Sequence, residues 1–135
     1  MARIKHIALR ADDPEKTATF YKEVFGLEEV GKARTGFYLS DGYLNIAILS
    51  KLETAHGETP RDVEGYTGID HFGILVDDMD ETCKKLENAG AEAAVPAVNT
   101  ATQTNTDGKS YFELKYKGPD GQIFDISAEG WVGGA

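Results

Sequence analysis

Ile4-Lys5-His6-Ile7-Ala8-Leu9-Arg10-Ala11-Asp12-Asp13 returns further along the chain as Ile69-Asp70-His71-Phe72-Gly73-Ile74-Leu75-Val76-Asp77-Asp78. At a shift of 65 residues (71 minus 6), Ile4, His6, Asp12, Asp13 and Thr17 meet Ile69, His71, Asp77, Asp78 and Thr82. Chance alternation of apolar and polar residues rarely gives so many identities, so the chain is an internal repeat. Within the first copy, Lys5, Ile7 and Leu9 fall on one face and Ile4, His6, Ala8 and Arg10 on the other, which is the period of a β-strand. Two halves related by a pseudo-twofold would point both histidines at one central place.

Outward from these strands the halves keep the same order. After the first, Asp13 caps a helix with Pro14 at its first position, an apolar stripe of Phe20, Tyr21, Val24 and Phe25, and Gly26 as a left-handed stop. Strands are expected at Leu27–Val30, Gly36–Ser40 and Tyr43–Leu49, the last two joined by the Asp41-Gly42 turn signal. The second half gives a strand at 69–76, a helix from about Asp80 to Ala89 stopped by Gly90, strands near 91–95 and 110–117, and a last strand after Asp120-Gly121. Between the halves, 52–68 is polar and turn-rich. A second loose stretch, 99–109, carries Thr100, Thr102, Thr104, Thr106 and Gly108; it reads as a solvated loop, or as a lid over a pocket. The expected organisation is one domain over 1–135, with module one at about 3–50 and module two at about 69–131.

The 135 residues suffice to bury roughly two-thirds of the unfolded surface around one core. A single cysteine, Cys83, excludes an intramolecular disulfide and the cysteine-rich zinc patterns, and fits a reducing compartment. No run of about 18 apolar residues and no apolar signal core occur, so the expectation is a soluble cytoplasmic protein. A net charge of −9 without a basic cluster argues against nucleic acid or an anionic membrane as partner and leaves a small molecule.

Neutral imidazole offers a nitrogen lone pair to divalent metals, so His6 and His71 on neighbouring strands are candidate ligands. A third would interrupt an apolar strand. In Ile123-Phe124-Asp125-Ile126-Ser127 that residue is Asp125, a carboxylate that is costly to bury unless paired or bound to a cation. In Tyr43-Leu44-Asn45-Ile46-Ala47-Ile48 the matching residue is Asn45, whose amide can bind a metal weakly or hydrogen-bond a ligand.

The order His, Asn, His, Asp on the first, fourth, fifth and eighth strands resembles the vicinal oxygen chelate superfamily, which includes glyoxalase I, extradiol dioxygenases, methylmalonyl-CoA epimerase, and fosfomycin and bleomycin resistance proteins. The matching stretches are Ile4–Ala8, Phe20–Leu27, Ile69–Asp78, and Gly118-Pro119-Asp120-Gly121 followed by Asp125; the similarity runs from about residue 3 to 131. The resemblance implies an α+β fold of two βαβββ modules whose mixed sheets curl around an open cavity. It implies a divalent ion, whether iron, nickel, zinc or manganese, that polarises two adjacent oxygens of a small organic substrate. His6 and His71 match the histidine ligands and Asp125 the usual glutamate. Asp125 is one methylene shorter, so the ion must shift toward that strand, bind through water, or be absent. Asn45 stands where glyoxalase I and the epimerase place a ligand, but it cannot abstract a proton.

Two functions follow from the resemblance. One is a metal-dependent enzyme of glyoxalase-like lyase or isomerase type, or a ring-cleaving dioxygenase using two histidines and one carboxylate. Its base would be Asp125 or Glu113 on the strand 111–117, with Glu113 facing either cavity or solvent. The other is a metal-free binder of an aromatic or antibiotic ligand, of the bleomycin-resistance kind. Ligand contacts are expected from Asn45, from Tyr43 on its face, and from Arg10, which shares the face of His6 and would meet an anionic group. Members of the superfamily often pair modules across a homodimer, so His6 comes either from the chain of His71 and Asp125 or from its partner. His56 reads as a surface residue, Cys83 as a small core hydrophobe beside Met79 and Leu86, and Trp131 as packing or cavity wall. Gly108-Lys109-Ser110 lacks the first glycine of a phosphate loop and is set aside.

Overall fold

The computed structural model describes residues 1–52, 65–94, 103–104, 110–111 and 113–134; the bulk of the inter-module loop, most of the threonine-rich stretch and His56 lie outside them. Module one comprises β1 (Arg3–Ala11), α1 (Pro14–Phe25), β2 (Glu28–Lys32), β3 (Phe37–Ser40) and β4 (Asn45–Ser50). Module two comprises β5 (Gly68–Leu75), α2 (Met79–Asn88), β6 (Glu92–Ala93), a small ribbon of β7 (Gln103–Thr104) and β8 (Ser110–Tyr111), then β9 (Leu114–Lys117) and β10 (Ile123–Ser127). The strand expected over 110–117 is thus divided, its first residues pairing with β7 and its last with β10.

The helices start and stop for the reasons their sequences suggest. Asp13 accepts from the Lys16 amide at 3.2 Å, Asp78 from the Glu81 amide at 3.0 Å, and Gly26 closes α1 in a left-handed conformation at φ 72°. The stripe on α1 behaves otherwise: Phe20, Val24 and Phe25 are 53%, 57% and 66% exposed. It is Ala18 that α1 buries, with Tyr21 packed beside it, against Ala11, Leu39 and Ile48.

Eight strands form one sheet in the order β2-β3-β4-β1-β5-β10-β9-β6. Mapping β1, β4, β3 and β2 onto β5, β10, β9 and β6 makes this order a palindrome, so the duplication in sequence becomes a pseudo-twofold between β1 and β5. In each module the first strand pairs parallel with the last, β1 with β4 and β5 with β10, and the modules join through antiparallel β1–β5 pairing. That joint is irregular at two places. Ile4 pairs with Ile74 and His6 with Gly73, leaving Lys5 as an extra residue; Ala8 pairs with His71 and Leu9 with Ile69, leaving Asp70 as another. Each copy therefore carries a β-bulge at the residue before its histidine. The simple alternation expected for residues 4–10 breaks there: Ile4 is 52% exposed, and Lys5 and His6 are both buried.

The cup between the modules is partly filled. Trp131 joins Ala8, Tyr38, Ala47 and Leu49 in one buried cluster, and Val132 packs against it. The tail is held on module one by Ser40 Oγ donating to the Gly133 carbonyl at 2.7 Å and Asn45 Nδ2 donating to the Val132 carbonyl at 2.7 Å. No helix among the described residues is long and apolar enough to cross a membrane. Substituting the cap, Asp13→Ala, is expected to lower stability by about 1 kcal/mol, while Val24→Ser on the exposed face of α1 changes it by less than about 0.5 kcal/mol; urea unfolding followed by circular dichroism measures both.

Candidate metal centre

The two bulges set the site. On a regular strand neighbouring side chains point to opposite faces, but the extra residue at position 70 turns Asp70 and His71 into the same buried region. Asp70 Oδ2 lies 2.9 Å from His71 Nδ1. A carboxylate accepts, so His71 Nδ1 carries the proton and Nε2 is turned away from Asp70 toward the centre. In module one the bulged residue is Lys5, and the same task falls to the strand alongside. Asn45 Nδ2 must donate to the Val132 carbonyl, which fixes its Oδ1 toward His6 Nδ1 at 2.6 Å. His6 therefore holds its proton on Nδ1 and presents the Nε2 lone pair. Both rings are oriented as metal-ligating histidines usually are, with the far N–H engaged.

Asp125 completes the set. Its Oδ2 lies 3.2 Å from His71 Nε2 and 3.8 Å from His6 Nε2, and the three donor atoms fall within 4.8 Å of one another, all buried. That oxygen faces both Nε2 atoms. The structure brings the three together within one chain. The short aspartate reaches both rings because of register: Asp125 pairs with Gly73 on β5, whereas Asn45 pairs with His6 on β1. The pseudo-symmetric counterpart of Asp125 is thus Ala47, and Asn45 and Asp125, matched in the sequence reading, sit one inward position apart and reach different nitrogens. Asn45 is fully buried with both ends of its amide engaged, one of them holding His6.

Around the triad lies a ring of buried charge. Lys115 Nζ donates to Asp125 Oδ1 at 2.7 Å, lies 3.4 Å from His71 Nε2 and 3.8 Å from Glu113 Oε1. Glu113 faces inward, not to solvent, and its Oε2 accepts from Trp131 Nε1 at 2.9 Å. The Trp131 indole stacks on His6, centroids 4.8 Å apart at 6°. Arg10 Nε approaches Asp70 Oδ2 at 3.5 Å and its Nη1 donates to the Ser50 carbonyl at 3.3 Å, so the arginine braces the carboxylate behind His71. Tyr43 precedes β4, half exposed, with Lys5 Nζ 3.2 Å above its ring, and takes no part in the triad.

Burial and neighbouring charge set the protonation. Burial, then the nearby His71, pushes His6 down to about 3, so it stays neutral with its lone pair available. Burial would lower His71 too, but the charge of Asp125 and the Asp70 hydrogen bond outweigh it and raise it. Burial opposes ionisation of Asp125, yet the charges of His71 and Lys115 prevail and hold it well below the usual carboxylate range. Burial, with the charge of Asp125, pushes Glu113 up to about 7.

Asp70 and Lys115 are the contributors that sequence reading assigned no site role, while Trp131, expected as packing or cavity wall, stacks on His6. Lys115 could have been found, since the period of two puts it on the face of Glu113 in 113–117. Asp70 gave no such signal, because only a bulge brings it beside His71.

Fold and site define a paired-module β-cup whose central strands present two histidines and a carboxylate to one point. The family model described as "Glyoxalase/Bleomycin resistance protein/Dioxygenase superfamily" matches residues 3–126, and the chain belongs to that family. The chain is 27% identical over 123 residues to "Glutathione transferase FosA" of Serratia marcescens, covering 91% of this chain and 78% of that protein. In structure it is similar to the methylmalonyl-CoA epimerase of Mycobacterium tuberculosis, with a TM-score of 0.63 and 16% identity over 92% of this chain and 85% of that one. It is likewise similar to an Mn(II)-bound glyoxalase from Novosphingobium aromaticivorans, with a TM-score of 0.63 and 19% identity over 94% of this chain and 40% of that one.

Gly73 is where fold and site meet. A Cβ there would stand 2.6 Å from Trp131 Cζ2 and 2.8 Å from His6 Cβ. Gly73→Ala is expected to cost about 1–3 kcal/mol and to shift the emission of Trp131, the lone tryptophan, as the indole leaves His6.

Proposed function

We propose that the protein is a metal-dependent enzyme that moves a proton on a small organic substrate bearing two adjacent oxygens, a lyase or isomerase in reaction type. The observation that carries this is the convergence of His6 Nε2, His71 Nε2 and Asp125 Oδ2, with the far side of each ring already engaged and the carboxylate oxygen facing both near nitrogens. Two imidazoles and one carboxylate suit iron, nickel, zinc or manganese, and three protein ligands leave positions for a chelating substrate. When bound, the ion supplies Lewis acidity that favours negative charge on the substrate oxygens.

The chain's own residues supply the rest. Asp70 and Asn45 hold the histidines in the tautomer that exposes Nε2. The stacked indole of Trp131 keeps water from one face of His6. Glu113 is the proton-moving group: its carboxylate is buried beside the triad, held by Trp131 Nε1 on one oxygen, with the other oxygen toward Lys115. Asp125, as the carboxylate of the triad, is occupied as a ligand. Proton transfer is preferred to ring-cleaving dioxygenation because the site pairs its ligands with a second carboxylate suited to carry a proton.

A second reading, a metal-free binder of an aromatic or antibiotic ligand, is favoured by one observation: the Lys115 ammonium already neutralises Asp125. Metal analysis separates the two. Chelator-stripped protein reloaded with manganese(II), zinc(II), nickel(II) or iron(II) is expected to retain one ion per chain, and His6→Ala, His71→Ala and Asp125→Ala each to abolish retention. Asp70→Asn is expected to weaken it about 10–100-fold. Retention of no ion, or uptake unchanged in the His6→Ala, His71→Ala double variant, refutes the enzyme reading. With metal loaded, Glu113→Gln is expected to lower kcat about 10²–10⁴-fold on a hemithioacetal or other vicinal-oxygen substrate that the wild type turns over.

A further inference from the structure

The ring of charge contains a cation of the chain's own where a ligand set for a metal ion would be expected to stay clear of one. Lys115 and Asp125 are directly opposite partners on β9 and β10, and the lysine side chain is 4% exposed. Its ammonium donates to Asp125 Oδ1 at 2.7 Å and lies 3.4 Å from His71 Nε2. One contact is to the second oxygen of the carboxylate in the triad, the other to the ring nitrogen that a metal would take. We infer that Lys115 is an internal counter-cation that competes with the divalent ion for Asp125 and His71 and thereby sets how tightly the site holds metal. This rests on the metal-site reading above.

The physical argument is one of charge at short range in a buried place. Lys115 is paired with Asp125 of the triad, and Arg10 with Asp70 behind His71, so both acids already have a cation. A divalent ion entering beside Lys115 meets a like charge within a few ångströms, where water screens little. It also displaces the ammonium from His71 Nε2. Glu113 Oε1, 3.8 Å from Lys115 Nζ, supplies the second seat, so the ammonium keeps a carboxylate partner when Asp125 turns to the metal. The pair makes a site that is satisfied without metal and takes it up reversibly, rather than one that is an unpaired anionic hole when empty.

The test is a titration of chelator-stripped protein with manganese(II) and with zinc(II), read by calorimetry and by the emission of Trp131, which stacks on His6. Lys115→Met and Lys115→Gln are expected to bind each ion at least tenfold more tightly than wild type, and Lys115→Arg, which keeps the charge, to stay within threefold of it. Glu113→Gln is expected to weaken binding severalfold when Lys115 is present and to lose that effect in the Lys115→Met background. Circular dichroism confirms that each variant is folded; the glutamine variant retains a donor to Asp125 should the methionine variant unfold. Affinity in folded Lys115→Met or Lys115→Gln equal to or below that of wild type overturns the inference while the metal-site reading stands. Metal binding by the lysine variants but not by wild type supports the inference and overturns that reading for the native chain. Binding by neither overturns both.

Discussion

Everything at the centre of this molecule depends on the antiparallel pairing of β1 with β5 and on the two bulges within it. Unbroken pairing would send the residue before each histidine to the opposite face. With one extra residue in each copy, Lys5 and Asp70 are buried alongside their neighbours, and His71 gains a carboxylate from the adjacent position in its own strand. The duplication makes the bulge twofold, yet the two copies use it differently. Module two fills it with an acid that orients the histidine; module one fills it with Lys5, whose Nζ donates to the Tyr43 carbonyl, and takes its orienting group from Asn45 on the parallel neighbour.

Such a centre is expensive to bury. Asp125, Asp70, Lys115 and Arg10 are all taken from water, and each buried ion costs several kcal/mol before its partners compensate. Compensation comes through short contacts between strands adjacent in the sheet: Lys115 on β9 to Asp125 on β10, and Arg10 on β1 to Asp70 on β5. Packing around them is dictated by small residues. Gly73 leaves the space that the Trp131 indole occupies against His6, and Ala8 and Ala47 line the cluster into which the same indole fits. Specific pairing thus positions the donors, and close packing keeps their lone pairs from water.

The repeat made most of the fold legible. His6 and His71 announce the pseudo-twofold, Asp13-Pro14 and Gly26 bound the first helix, and Asp120-Gly121 marks the turn into β10. The triad was legible too, since a carboxylate amid Ile123, Phe124 and Ile126 asks for a cation. What pattern reading could not supply was register and irregularity. Alternation has no symbol for a bulge, so Asp70 looked like a residue of the opposite face. Two strands of similar composition looked equivalent, so Asn45 and Asp125 were matched although β4 and β10 align their neighbours two residues apart. The exposed stripe of α1 shows the same limit: helical period identifies an apolar face, but Ala18 and Tyr21 are what the sheet receives.

The aspartate at position 125 is best understood together with its partner across the sheet. In the superfamily pattern the last strand brings a glutamate, and shortening it by a methylene withdraws the carboxylate toward its own backbone. Here the withdrawn group is met by Lys115, directly opposite on β9, whose ammonium reaches Oδ1 at 2.7 Å and leaves Oδ2 for the histidines. Opposite charges on directly paired residues stabilise an antiparallel ladder, and in a buried ladder each would be left uncompensated without the other. The short acid on one strand and the long cation on its neighbour together set the charge balance of the centre.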